Sequence, residues 1–400
     1  MTFEQMWHDL GPIGRDSGTG GYVRTPFAAA ERECVAWYVE EAGKRDLSVE
    51  WDGQGNAVAW WRPTTASGKG ILVGSHLDSV VDGGAFDGPL GVVSSFAAID
   101  RMRAAGTTPG RPIGVAMFVE EEGSRFGVAC LGSRLATGRI DVATARDLKD
   151  ADGIFLLDAM ASGGVDDPSL GRSRLLDDVA MFVELHVEQG RDLVDRGRPI
   201  GVASASWAHG RWRFDFTGEP NHAGATRMED RHDPMLTYAM TALAANKQAR
   251  LAGARSTFAK VAVAPNNTNA IPGSVQAWLD ARGPQADVVD ELVAAVTRQA
   301  GERADRDGTQ VSVAAESVSP TVEFDPALAA RLAATLDDAP VIPTGAGHDA
   351  AILQAAGTPS AMLFVRNPTG ISHSPEEFAE TADCLAGVDA LTKVLTELAT

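Results

Sequence analysis

No run of about 18 apolar residues, the length that a membrane-spanning helix needs, occurs in this chain. The 400 residues include only three cysteines, Cys34, Cys130 and Cys384. They lie far apart, cannot all pair and form no CxxC, which excludes a disulfide scaffold and predicts three reduced, buried thiols in a cytoplasmic protein. Basic residues are scarce: 35 Lys and Arg face 54 Asp and Glu, for a net charge of −19. Such a chain repels phosphate backbones and anionic lipid, so no nucleic acid and no membrane surface is expected as a partner. The start, MTFEQMWHDLGPIGRDSG, lacks a basic segment followed by an apolar one, so no secretory signal is expected. There is no internal repeat and no low-complexity stretch. What remains is globular in composition, 44% hydrophobic and 22% charged. The length predicts two or three domains at roughly 150 residues each.

Periodicity divides the chain. Residues 26–42 and 89–105 show helical spacing, the second opened by Pro89, a good first-turn residue. AVAWW (57–61), GILVGSH (70–76), IGVAMFVEEEG (113–123) and MFVELH (181–186) read as strands, the last three as buried ones. Strands alternating with helices predict an α/β domain with a mixed, largely parallel sheet flanked by helices. Ligands of such sheets sit beyond the carboxyl ends of the strands. The texture changes near 206. Strand 211–218, helix 233–250, strands 258–264 and 274–281, helix 285–303 and strand 309–316 follow in β-α-β-β-α-β order. This predicts an α+β block over 206–320, inserted into a discontinuous domain of 1–205 and 321–400. Helices 326–336 and 347–356 and strand 359–365 complete that domain.

Acids and histidines gather where strands end. His76 and Asp78 in GSHLDSV are two apart on an extended segment and point the same way, which suits a metal-bound imidazole backed by a carboxylate. A polar strand end is the plainer alternative. Asp87 in DGGAFDGPLGV stands at a helix start, where a carboxylate can bridge two cations or simply cap the helix. Glu120, Glu121 and Glu122 close an apolar strand, which is costly unless they are paired, metal-bound or turned to solvent. Adjacent carboxylates can divide labour, one ligating and one moving protons. His186 in ELHVEQG and His373 in GISHSPEEF complete the set; His222 (NHAGATRM) and His348 (TGAGHDAA) also have loop settings. Five hard or borderline ligands, one of them bridging, make two three-coordinate sites with open positions, the pattern of a catalytic pair.

In order and spacing, GSHLDSV, DGGAFDGPLGV, EEEGSRF, ELHVEQG, NHAGAT, NAIPG (269–273), GAGHDA and GISHSPEE resemble the M20 metallopeptidase family. The likeness is to its amidase branch of allantoate amidohydrolases, N-carbamoyl-L-amino-acid hydrolases and β-ureidopropionases. The resemblance implies a catalytic α/β domain interrupted by a ferredoxin-like lid and dimerisation domain. It implies two divalent metal ions, zinc or manganese with cobalt or nickel also fitting, held by His76, Asp87, Glu122, His186 and His373, with Asp87 bridging. Glu121 is then the general base and Asp78 the partner of His76. His222 stabilises an oxyanion in the other subunit of a homodimer with shared active sites. Asn269 and Arg282 hold a substrate carboxylate, and Gln189, His348 and Gly370 lie near the substrate. A cis peptide is implied just after the bridging aspartate, at Asp87–Gly88. The His222 loop departs from the family's usual HAGTTPM at Ala225 and Arg227. The activity implied is hydrolysis of a linear ureido or amide C–N bond in a small carboxylate substrate. A di- or aminopeptidase of the same superfamily, or a metal binder that has lost catalysis, is the alternative.

Overall fold

The computed structural model describes residues 2–399. They form two compact units, one of residues up to 205 together with those from 323 onward, the other of 206–322. In chain order the strands are β1 (Ser48–Trp51), β2 (Ala57–Trp61), β3 (Gly70–His76), β4 (Ile113–Phe118), β5 (Val179–Val187) and β6 (Ile200–Ser206). The second unit contributes β7 (Ala208–Thr217), β8 (Asn221–His222), β9 (Arg255–Ala264), β10 (Ala270–Ile271), β11 (Ser274–Gly283) and β12 (Gln310–Ser319). The chain ends with β13 (Val322–Glu323), β14 (Val341–Thr344) and β15 (Ser360–Val365).

The first unit is a mixed α/β fold on a nine-stranded sheet ordered β1-β2-β4-β3-β5-β15-β6-β13, with β14 beside β6. Its centre, β4-β3-β5-β15, is parallel, whereas β2 and β6 join it antiparallel. Parallel strands are covered on both faces and therefore read as continuous apolar runs. Every residue of GILVGSH, IGVAMF and SAMLFV is buried accordingly. Helices Pro89–Ala104 and Thr381–Ala399 pack on each other and on these strands. Val73, Phe96, Val115, Leu185, Leu363 and Leu391 share their core, each buried side chain contributing about 1.5–3 kcal/mol. Strand β4 stops at Phe118, short of the run to residue 123 that its apolar pattern suggests. Glu120 has φ 54°, a left-handed turn that ends the ladder and lifts Glu121 and Glu122 off the sheet.

In the second unit the antiparallel sheet β12-β7-β11-β9 carries helices Pro234–Ala252 and Ala286–Asp307 on one face. Taking the long strands in chain order, this is the 4-1-3-2 arrangement of a ferredoxin-like fold. In β7, AHGRWRFDFT, buried residues alternate with partly exposed ones, as a sheet with one covered face requires. Phe214, Phe216, Leu279 and Val296 lie in its core. A separate ladder pairs β8 with β10, setting His222 opposite Ala270.

Candidate metal centre

The carboxyl ends of the parallel strands bring the acids and histidines of the first unit together. His76 is the last residue of β3, Glu121 and Glu122 follow β4, and His186 is the penultimate residue of β5. His373 comes from the loop after β15, where it takes φ 55°. Asp87 enters from the turn before the helix Pro89–Ala104.

Asp87 is the hub. Its Oδ1 lies 3.4 Å from His76 Nε2 and 3.1 Å from His186 Nε2; its Oδ2 lies 3.3 Å from His373 Nε2. Glu122 Oε2 is 3.3 Å from the same His373 nitrogen. Two donor triads result, His76–Asp87–His186 and Asp87–Glu122–His373, each with its ligand atoms within 4.8 Å of one another and with Asp87 in common. The tautomers follow from the main chain. His76 Nδ1 lies 3.1 Å from the Asp78 carbonyl and His186 Nδ1 lies 2.9 Å from the Val187 carbonyl, so each Nδ1 donates to the main chain and each Nε2 is the nitrogen left to ligate. Both Nε2 atoms are buried without a hydrogen-bond partner. Two imidazole nitrogens, each ring held by a carbonyl on its far side, converge in a buried site on one carboxylate oxygen, and this donor set fits a divalent ion.

The electrostatics agree. Burial works against a charged His76, but Glu121, Asp78 and Asp87 outweigh it and raise its pKa well above the usual value. Burial alone would raise Asp87, yet His186, His373 and His76 hold it well below the ordinary carboxylate range. Glu122 is pushed up to about 7 by burial and by Asp87. Glu121 is driven well above its usual value by burial, then by Asp349, Glu122 and Asp87. The centre therefore favours positive charge among its carboxylates, which a divalent ion would supply.

The turn that presents Asp87 depends on Gly88. With φ 84° and ψ −62° it reverses the chain into the helix, and a Cβ there would sit 2.5 Å from the His76 ring. The bond at Asp87–Gly88, expected to be cis, is not: among the described residues the cis peptide is Ala264–Pro265. A glycine in the left-handed region already supplies the reversal.

Around this hub the other expected residues take particular positions. Asp78 receives Glu121 N–H on Oδ1 and Glu122 N–H on Oδ2, both at 3.2 Å, so its carboxylate braces the glutamate turn and sits 3.6 Å from His76 Nδ1. Glu121 Oε2 faces His76 Nε2 at 3.7 Å, while Oε1 accepts the Cys130 thiol at 3.1 Å. Glu120 turns away, its Oε1 accepting Arg125 N–H and Phe126 N–H, which closes the following turn. Gln189 uses its amide N–H on Asp87 Oδ2 at 2.7 Å. His348 is buried, with its ring edge against His186 and the centroids 4.5 Å apart. Gly370 takes φ 70° in the loop before His373, in a tight turn where Arg191 packs.

His222, Asn269 and Arg282 belong to the second unit. The main-chain carbonyl of Asn269 accepts the Ala223 N–H beside the exposed His222. His222 Nδ1 accepts the N–H groups of Gly224 and Ala225 at 3.0 and 3.1 Å, so its proton lies on Nε2, directed away from the loop. Arg282, on β11, is bonded through Nε and Nη2 to Asp280 at 2.7 and 3.1 Å. Arg227 turns its guanidinium to Asp230 and Glu229, away from the His222 ring's bonds.

Sequence reasoning passed over Ser372, Glu377 and Cys130. Ser372 Oγ lies 3.2 Å from Asp87 Oδ2 and 2.7 Å from Glu377 Oε2. The first two share the GISHSPEEF motif with His373, a signal that pointed to them. Cys130 carried no signal, since a lone buried cysteine is ordinarily packing.

Known proteins resemble the chain along its whole length. The N-carbamoyl-L-amino acid amidohydrolase of Geobacillus stearothermophilus is 36% identical over 99% of this chain and 98% of its own. The allantoate amidohydrolase of Escherichia coli K12 is 30% identical over 98% and 96%. A crystal structure of a hydantoinase/carbamoylase family amidase from Burkholderia vietnamiensis superposes with a TM-score of 0.89 at 28% identity, covering 99% of this chain and 97% of that one. Residues 72–397, which hold every donor of the centre, match the peptidase family M20/M25/M40, and the chain belongs to that family.

Proposed function

We propose that the protein is a metal-dependent amidohydrolase that cleaves a linear ureido or amide C–N bond in a small carboxylate substrate of the allantoate or N-carbamoyl-L-amino-acid type. Water is consumed, and the products are the freed amino compound with ammonia and carbon dioxide or their equivalent. The observation that carries this reading is the pair of donor triads sharing Asp87, with one further carboxylate, Glu121, beside them. Full-length likeness to amidohydrolases supports the bond type.

Two divalent ions, zinc or manganese with cobalt or nickel also suited, would be held by His76, Asp87 and His186 and by Asp87, Glu122 and His373. Such ions would supply Lewis acidity, polarising the scissile carbonyl and making water a nucleophile at neutral pH. Glu121 takes the proton of the attacking water on Oε2 and passes it to the departing nitrogen. Asp78 fixes the turn on which Glu121 stands. Gln189, His348 and Gly370 lie near the substrate; Gln189 and His348 also touch Asp87 and His186, and Gly370 gives the His373 loop its turn.

The second unit completes the site in a homodimer. His222, with its proton on Nε2, donates to the developing oxyanion of the partner's site. Arg282 and Asn269 hold the substrate carboxylate; the Arg282 guanidinium, whose Nε and Nη2 engage Asp280, would then be shared between Asp280 and the substrate. Among the described residues no helix is long and apolar enough to cross a membrane. The free, buried cysteines support a cytoplasmic enzyme.

The test is ammonia release from allantoate, N-carbamoyl-L- and D-amino acids, ureidopropionate, and N-formyl and N-formimino amino acids, with dipeptides alongside, after reconstitution with manganese or zinc. Turnover of a ureido substrate supports the reading. Cleavage of dipeptides alone replaces it with a peptidase.

A further inference from the structure

Two loops supply the hub, and they are almost 300 residues apart in sequence. One side chain fastens them together. Glu377, buried in the loop after His373, accepts the N–H of Phe86 at 2.8 Å and of Asp87 at 2.9 Å on Oε1. Its Oε2 accepts the Ser372 hydroxyl at 2.7 Å. Ser372 has one hydroxyl proton and two carboxylate neighbours, and Asp87 Oδ2 is the farther one at 3.2 Å. The chain has been cleared to admit this group: a Cβ on Gly84 would lie 2.3 Å from Glu377 Oε1 and 2.5 Å from its Cβ.

We propose that Glu377 is a positioning residue of the metal centre, clamping the Asp87 turn to the His373 loop so that the two donor triads meet on one carboxylate. The proposal rests on the reading of Asp87 as the shared ligand. The clamp acts on main-chain N–H groups, so what it sets is the direction from which the Asp87 side chain enters, leaving both of its oxygens facing the histidines. Without it the Phe86 and Asp87 N–H groups lose a buried acceptor, and the turn is free to rotate Asp87 away from one triad. An amide at this position keeps an oxygen for the two N–H groups and offers N–H to Ser372 Oγ, so Gln should substitute where Ala cannot.

The experiment is manganese binding to the metal-stripped full-length protein, by competition with a chromophoric chelator, together with thermal melting of the same metal-free samples. Removal of groups that orient metal ligands typically costs about 10–100-fold in affinity, and Glu377→Ala should fall in that range. Glu377→Gln should stay within about threefold of the parent, since it keeps the oriented hydrogen bonds. Gly84→Ala leaves Glu377 in place but crowds it, and should weaken binding in the direction of Glu377→Ala. Glu377→Ala leaves two buried N–H groups without an acceptor and should also melt somewhat lower without metal. Its loss of affinity must therefore exceed that of a control variant elsewhere in the unit with the same drop in melting temperature. Unchanged affinity in both Glu377→Ala and Gly84→Ala would overturn the proposal. So would a loss of affinity in Glu377→Gln as large as in Glu377→Ala, or a loss that merely follows the metal-free melting temperature. His186→Ala separates the two levels. If it too binds manganese like the parent, the centre itself is misread and the positioning role falls with it. If it loses metal while Glu377→Ala does not, only the positioning role fails.

Discussion

The two units handle charge in opposite ways. The first buries His76, Asp87, Glu121, Glu184, His186 and Asp349 in its interior. The second, among its described residues, buries no charged side chain or histidine at all; its buried polar groups are Ser206, Thr237, Thr241 and Thr309. It exposes apolar residues instead. Leu236, Met240, Leu243 and Leu251 are 46, 45, 66 and 72% exposed and lie on one side of the helix Pro234–Ala252. A buried cluster of carboxylates and imidazoles is unstable unless something neutralises it, and an exposed apolar stripe invites cover. The first unit gathers its charge inside, where a cation can neutralise it, and the second turns apolar side chains outward.

The sharpest way to break this contrast is at the carboxylate that the metal reading leaves unligated. Glu121→Gln should lower kcat by about 10²–10⁴-fold, the usual worth of a general base, with bound metal nearly unchanged by elemental analysis. Glu122→Ala should lose metal as well as activity. Glu120→Gln, which touches only its own turn, should keep most of kcat; if Glu120→Gln is dead and Glu121→Gln is active, the two roles are exchanged.

The next test joins the units. His222→Ala should reduce kcat by about 10²–10³-fold, as loss of an oxyanion donor does. Mixing inactive Glu121→Gln subunits with inactive His222→Ala subunits should restore activity, because a mixed dimer holds one intact site. No recovery would confine each site to one chain.

The apolar stripe makes a smaller claim. Leu243→Glu places a charge at its centre and should shift the proposed dimer to monomer in sedimentation at micromolar concentration, without lowering the melting of the second unit's core. A dimer unaffected by this change uses another surface.

The smallest effect concerns pH. Glu31 is buried, accepts the Phe27 N–H, and has its pKa raised to about 7 by burial and then by Asp78. Between its ordinary value and 7 the folded chain keeps a proton that the unfolded chain has released, so stability falls as pH rises through that window. Glu31→Gln keeps the accepting oxygen and cannot ionise. Relative to the parent it should gain about 1–3 kcal/mol between pH 4 and pH 8, read from denaturant unfolding. A difference that does not change with pH would mean that Glu31 ionises freely in the fold.

Much of the centre could be read from residue type and local spacing. His76, Glu122 and His186 stand at or just beyond the ends of apolar runs, and apolar runs mark the buried strands whose carboxyl ends carry ligands. The α/β fold class follows from the same runs. Other features were not legible in this way. Gln189 sits in a motif that suggests substrate, and only the folded chain sets its amide on Asp87 Oδ2. The end of β4 was misjudged because an apolar pattern says nothing about a single residue such as Glu120 turning left-handed.

The sequence by itself determined which chemistry the protein carries: five hard or borderline donors, a spare glutamate, and two kinds of hydrophobic periodicity that build a mixed α/β layer and an antiparallel one. Those properties are local, written in residue type and in spacings of a few positions. Only the tertiary structure decided how the donors are shared. It set which Asp87 oxygen faces which histidine, put Gly88 rather than a cis bond beneath the turn, and brought Glu377 to a loop some 290 positions away. Such contacts depend on the register of parallel strands and the paths of the loops beyond them, which no short stretch of sequence contains.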